Sequence, residues 1–74
     1  MKFESEYWTF SSFPTFIKAS ATEKNRYAQD FRIYSSTESF LSDFGDDDQA
    51  INCAKHFKEH CNDKDRAASR RKIR

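Results

Sequence analysis

The apolar side chains of this 74-residue chain are mostly rings: eight Phe, three Tyr and one Trp stand against four Ile, one Leu and no Val. That inventory constrains the fold more than any other feature. The length allows one domain near the lower limit for a self-supporting core. Aromatic rings bury more area per residue than aliphatic side chains, so a few of them can close such a core. The same rings, left exposed, are the residues that anchor protein interfaces. Twelve exceed what so small a core obviously requires. The chain reads as a single small α+β domain over residues 1–74, with a basic C-terminal tail from about residue 64.

The front half carries strand patterns. "EYWTF" and "TFIKASA" flank "SSFP", where the serines and Pro14 favour a turn. "RYAQDFRIY" alternates, with Tyr27, Gln29, Phe31 and Ile33 on one face and Ala28, Asp30, Arg32 and Tyr34 on the other. The polar "TEKN" suits a hairpin loop. These runs predict a three-stranded antiparallel meander over roughly residues 3–34, with Phe31 and Ile33 turned to the core.

The back half carries helix patterns. Ser35 and Glu38 have capping-box spacing, Phe40, Leu41 and Phe44 follow at helical intervals, and Gly45 stands where a helix should stop. A rival reading makes "SFLSDF" a fourth strand; the short helix is preferred. "DDDQ" opens a longer C-terminal helix from about Asp47 past Cys61, because carboxylates suit the positive end of a helix dipole. On that helix Ala50, Cys53, Ala54, Phe57 and Cys61 form the core-facing stripe. The predicted core is Phe57, Cys53, Ile33, Phe31 and Phe40 or Phe44.

"CAKHFKEHC" places two thiols and two imidazoles within nine positions, Cys53, His56, His60 and Cys61. A disulfide between its cysteines fails on geometry, since eight helical residues rise about 12 Å and bridged Cα atoms must lie within about 7 Å. Four ligands on one straight helix do not surround a single ion. His56 and His60, at i and i+4, are placed to share one, but the chain has no other Cys or His to complete the set. The expectation is a thiol-containing core edge with no metal and no cofactor. Catalysis is equally unsupported. One glycine excludes a Gly-rich phosphate loop, and the cysteines have no base at a recognisable catalytic spacing.

The net charge of +1 conceals a strong asymmetry. Residues 1–54 hold five Lys/Arg and nine Asp/Glu, a balance of −4, and residues 55–74 hold eight and three, a balance of +5. Asp43, Asp46, Asp47 and Asp48 fall in a stretch, 33–54, that has no basic residue, and such a patch steers a basic partner surface. They lack the spaced loop and terminal Glu of a calcium site. In the tail, Lys64, Arg66, Arg70, Arg71, Lys72 and Arg74 are candidate nucleic-acid contacts, although no ring is interleaved to stack on bases. The start "MKFESEYW" has no apolar signal segment and no run reaches membrane-spanning length, so a reduced, cytoplasmic setting is expected.

The order of a small antiparallel meander, then "STESFLSDF", a polar break and one long helix resembles the small phage-encoded inhibitors of bacterial defence, the anti-CRISPR proteins. The matching positions are Ser36, Thr37, Glu38, Leu41 and Phe44, while Gly45 and three aspartates stand where such a family has a Gly-rich connection. The resemblance implies a protein that binds an effector complex in the host cytoplasm and blocks nucleic-acid loading. A three-stranded sheet packed by a helix is also similar to DNA-binding domains that lay a sheet in the major groove. Here Lys2 and Lys18 are offset by Glu4 and Glu6, so the electrostatics oppose that use. The leading expectation is therefore a non-enzymatic protein-binding inhibitor. The second is a nucleic-acid-binding regulator acting through the last helix and tail, and the third a metal-assisted or redox role for the Cys/His cluster.

Overall fold

The computed structural model describes residues 1–25 and 31–61. Residues 26–30 of the expected third-strand run and the basic tail from Lys64 onward lie outside the described residues. The architecture is α+β, an antiparallel meander followed by two helices, the second longer. The strands are β1 (Lys2–Glu4), β2 (Trp8–Ser12), β3 (Ile17–Ala21) and β4 (Phe31–Tyr34), and they lie in sequence order across one sheet. The helices are α1 (Thr37–Phe44) and α2 (Asp48–His60), and "SFLSDF" is helical.

The meander has one strand more than expected. β1 is only three residues and carries Lys2 and Glu4, the short charged form that guards a sheet edge against further pairing and leaves little pattern to read. Ser11 and Ser12 belong to β2 rather than to the turn, which closes two positions later through the Phe13 N–H to Phe16 carbonyl bond. The cap of α1 is also shifted by one residue: the Ser36 hydroxyl, not Ser35, accepts from the Ser39 N–H. Gly45 ends α1 at φ −62°, inside the ordinary helical region. Its role is space, because a Cβ there would lie 2.6 Å from the Leu41 carbonyl oxygen.

Both helices cover one sheet face. Phe10, Ile17, Ala19, Phe40, Phe44, Ala50, Cys53, Ala54 and Phe57 form the core, and Phe10, Phe40 and Phe57 are fully buried. The rings meet edge-on, Phe10 against Phe40 at 5.4 Å and against Phe44 at 5.1 Å between centroids. This arrangement sets the positive edge of one ring against the negative face of the next.

The face assigned to the last strand is inverted. Phe31 and Ile33 are 56% and 51% exposed, whereas Tyr34 is half-buried against Phe40 and Phe44. Register is the cause. Ile17 pairs with Tyr34 and Ala19 with Arg32, and directly opposed residues share a face. Ile17 and Ala19 are buried, so Tyr34 and Arg32 take the helix-covered face, where Tyr34 is half-buried and Arg32 stays exposed at its margin, 5.7 Å over the Trp8 ring. Phe31 and Ile33 then share the open face with Ser20 and Lys18, and the Lys18 ammonium sits 4.5 Å over the Phe31 ring.

Candidate functional site

Two clusters lie at opposite ends of α2. At its start, the last turn of α1, the connector and the first residue of α2 bring Asp43, Asp46, Asp47 and Asp48 around one open cleft of about 590 Å³, with Ser5 and Gln49 completing the wall. The four acids are not equivalent. Asp43 accepts the Tyr34 hydroxyl at 2.5 Å and pairs with Arg32 at 3.6 Å, so it serves the join between β4 and α1. Asp47 is the cap of α2: one carboxylate oxygen accepts the Gln49 N–H at 2.9 Å, and the other accepts the Ser5 hydroxyl at 2.6 Å. Asp46 and Asp48 are exposed at the rim. Asp43 is exposed as well but is engaged by Tyr34 and Arg32, and the charge of the four acids outweighs the positive end of the α2 dipole, so this end of the molecule is negative.

The other cluster gathers where β2 meets the far end of α2. Cys53 is fully buried, and burial pushes its thiol up to about 12. Such a thiol stays protonated and behaves as a small apolar side chain. Cys61 ends α2, its N–H bonded to the Phe57 carbonyl, and both cysteines are free. The half-buried His56 places Nδ1 3.0 Å from the Ser12 hydroxyl, and that hydroxyl lies 3.3 Å from the Cys61 sulfur. The exposed His60 ring lies 4.9 Å from that of His56. Among the described residues, no group of three His, Cys, Asp or Glu side chains is placed to hold a metal ion.

Sequence reasoning missed Ser5, Ser12, Arg32 and Tyr34. Each joins its partner across the fold: Ser5 and Asp47 are 42 positions apart, and Ser12 and His56 are 44. Spacing along one helix or strand contains no sign of such pairs. The tail residues Lys64, Arg66, Arg70, Arg71, Lys72 and Arg74 lie outside the described residues. Among the described residues no helix is long and apolar enough to cross a membrane. Comparison of the chain with protein-family models, with curated proteins and with solved structures finds no match.

Proposed function

We propose that this protein is a non-enzymatic inhibitor or regulator that presents the acidic end of α2 to a basic surface on a nucleic-acid-handling protein. In the anti-CRISPR reading that surface is the nucleic-acid-binding groove of a defence effector, and the chain acts in the host cytoplasm. The observation supporting the proposal is the convergence of Asp43, Asp46, Asp47 and Asp48 on one open cleft, with Asp46 and Asp48 left at its exposed rim. A cluster of one sign speeds encounter with a surface of the other and penalises partners of like charge. Asp43 and Asp47 are bonded within the fold, so they hold the cleft in shape while the rim acids meet the partner.

The test begins with the full chain as bait in a bacterial host lysate and mass spectrometry of what co-elutes, followed by association kinetics with the captured protein. Asp46→Lys with Asp48→Lys spares the cap at Asp47. It should slow association about tenfold or more while changing dissociation little. Removing residues 66–74 should matter little. Micromolar binding of random duplex DNA that weakens steeply with salt, and disappears on that truncation, would replace this reading with nucleic-acid binding through the tail.

A further inference from the structure

The two edges of the sheet differ. β1 is short and carries Lys2 and Glu4, whereas β4 ends the sheet order with Phe31 and Ile33 exposed. Backbone direction on β4 follows from the ladder, because hydrogen-bonded and non-hydrogen-bonded pairs alternate between antiparallel strands. The Phe13 N–H bonds the Phe16 carbonyl and the Thr22 N–H bonds the Tyr7 carbonyl. In the same register Lys18 and Ser20 turn their backbone groups to β2. Ile17 and Ala19 therefore turn theirs to β4, where they meet Tyr34 and Arg32. The N–H and C=O of Phe31 and Ile33 point the other way, to the outer side of β4. No strand pairs with that side among the described residues.

We propose that β4 pairs antiparallel with β4 of a second copy of this chain, about a two-fold axis at Ile33, joining two sheets into one. Such an interface is self-complementary: the Ile33 N–H of each copy donates to the Ile33 carbonyl of the other. Charge selects the register. With the axis at Arg32, the two guanidiniums would lie directly opposite each other, a like-charge pair that destabilises. With the axis at Ile33, each Arg32 lies opposite the second copy's Tyr34, whose hydroxyl donates to an Asp43 carboxylate. Each Arg32 already pairs with its own Asp43 at 3.6 Å, so the cations sit between acids on both sides of the seam. On the open face, Ile33 meets Ile33 and the two Phe31 rings lie diagonally beside them, closing one apolar stripe over the joined strands. Edge strands left unguarded in this way pair with other chains, and the symmetric pairing closes after two copies rather than growing.

Sedimentation equilibrium of the full chain, under reductant to prevent disulfides through Cys61, tests the proposal. A monomer–dimer equilibrium is expected with Kd between about 1 μM and about 1 mM, because one strand pair buries little area. Ile33→Lys sets two ammonium groups opposite each other at the axis and should weaken the dimer about tenfold or more. Ile33 is exposed in the single chain, so the melting temperature of dilute Ile33→Lys should match that of dilute wild type. Amide hydrogen exchange gives a second readout. The Ile33 N–H should exchange rapidly in dilute protein and slow as concentration rises, whereas the Tyr34 N–H, bonded within the sheet, is protected at both. A chain that stays monomeric at millimolar concentration would overturn the proposal. So would a dimer that Ile33→Lys leaves intact, or one in which the Ile33 amide still exchanges rapidly.

Discussion

Tyr34 donates its phenolic hydroxyl to Asp43 across 2.5 Å, tying β4 to the last turn of α1. The ring behind that hydroxyl packs on Phe40 and Phe44, so one side chain contributes apolar contact and a polar anchor together. Burial, then the Asp43 hydrogen bond, raises the Tyr34 pKa above its ordinary 10.0. Tyr34→Phe keeps the ring and should cost about 1 kcal/mol in urea unfolding. In ultraviolet titrations, Asp43→Asn should move the Tyr34 phenol partway back toward the ordinary value, with burial keeping the remainder. A Tyr34 titration unchanged in Asp43→Asn would show that the carboxylate has no influence on it.

The inversion of β4 predicts a sharp contrast between aromatic positions. Phe57 is fully buried, so Phe57→Ala should cost about 3–5 kcal/mol, enough to unfold a marginal domain. Phe31→Ser and Ile33→Ser alter the open face and should change stability by about 0.5 kcal/mol or less. Circular dichroism melts of the three variants decide the matter. Equal losses at Phe31 and Phe57 would contradict the register.

Cys53 makes the fold sensitive to alkali. Its thiol is held neutral to about 12 in the folded chain, against 9.0 for an unburied cysteine. Between those values the unfolded thiol loses its proton while the folded one keeps it, so the unfolded state binds fewer protons and stability falls as pH rises. This contribution is fully present below pH 9.0 and declines from there toward about 12. The urea midpoint should drop across that window, and Cys53→Ala should flatten the drop. A midpoint with the same pH slope in wild type and variant would rule the thiol out as its source.

Asp47 is the acid on which the acidic end depends structurally. Asp47→Ala removes both the cap on Gln49 and the acceptor for Ser5, and should destabilise by about 0.5–2 kcal/mol. Ser5→Ala should recover part of that loss when combined with it, since the two share one hydrogen bond. Urea unfolding of the four-member cycle measures the coupling. Strict additivity would show that the bond contributes nothing in solution.

The sequence stated most about α2 and least about β4. On α2 the stripe from Ala50 to Phe57 has one apolar face, and all four of its members are buried. β4 offers two candidate faces, because Tyr34 and Arg32 alternate with Phe31 and Ile33, and apolar content alone favours the wrong one. Tyr34 lies inward because its ring is apolar and its hydroxyl finds Asp43, a pairing that exists only once α1 has folded against the sheet. All four acids of the expected patch do line one cleft, which their closeness in sequence made readable. The division between Asp47, bonded to Ser5, and Asp48, left at the rim, depends on where β1 ends, and no local pattern encodes it.

The meander has a consequence in time. Every strand pairs with its neighbour in sequence, so the sheet can be assembled by closing short loops one after another. The long closures are those that bring α2 back: Ser5 to Asp47 over 42 positions and Ser12 to His56 over 44. Loop entropy grows only slowly with length, by about 0.6 kcal/mol per doubling, so this return is a modest obstacle rather than a trap. Folding should therefore be fast for a protein with a four-stranded sheet, with the arrival of α2 as its last committed event. Substitutions at Phe57 should then speed unfolding far more than they slow folding.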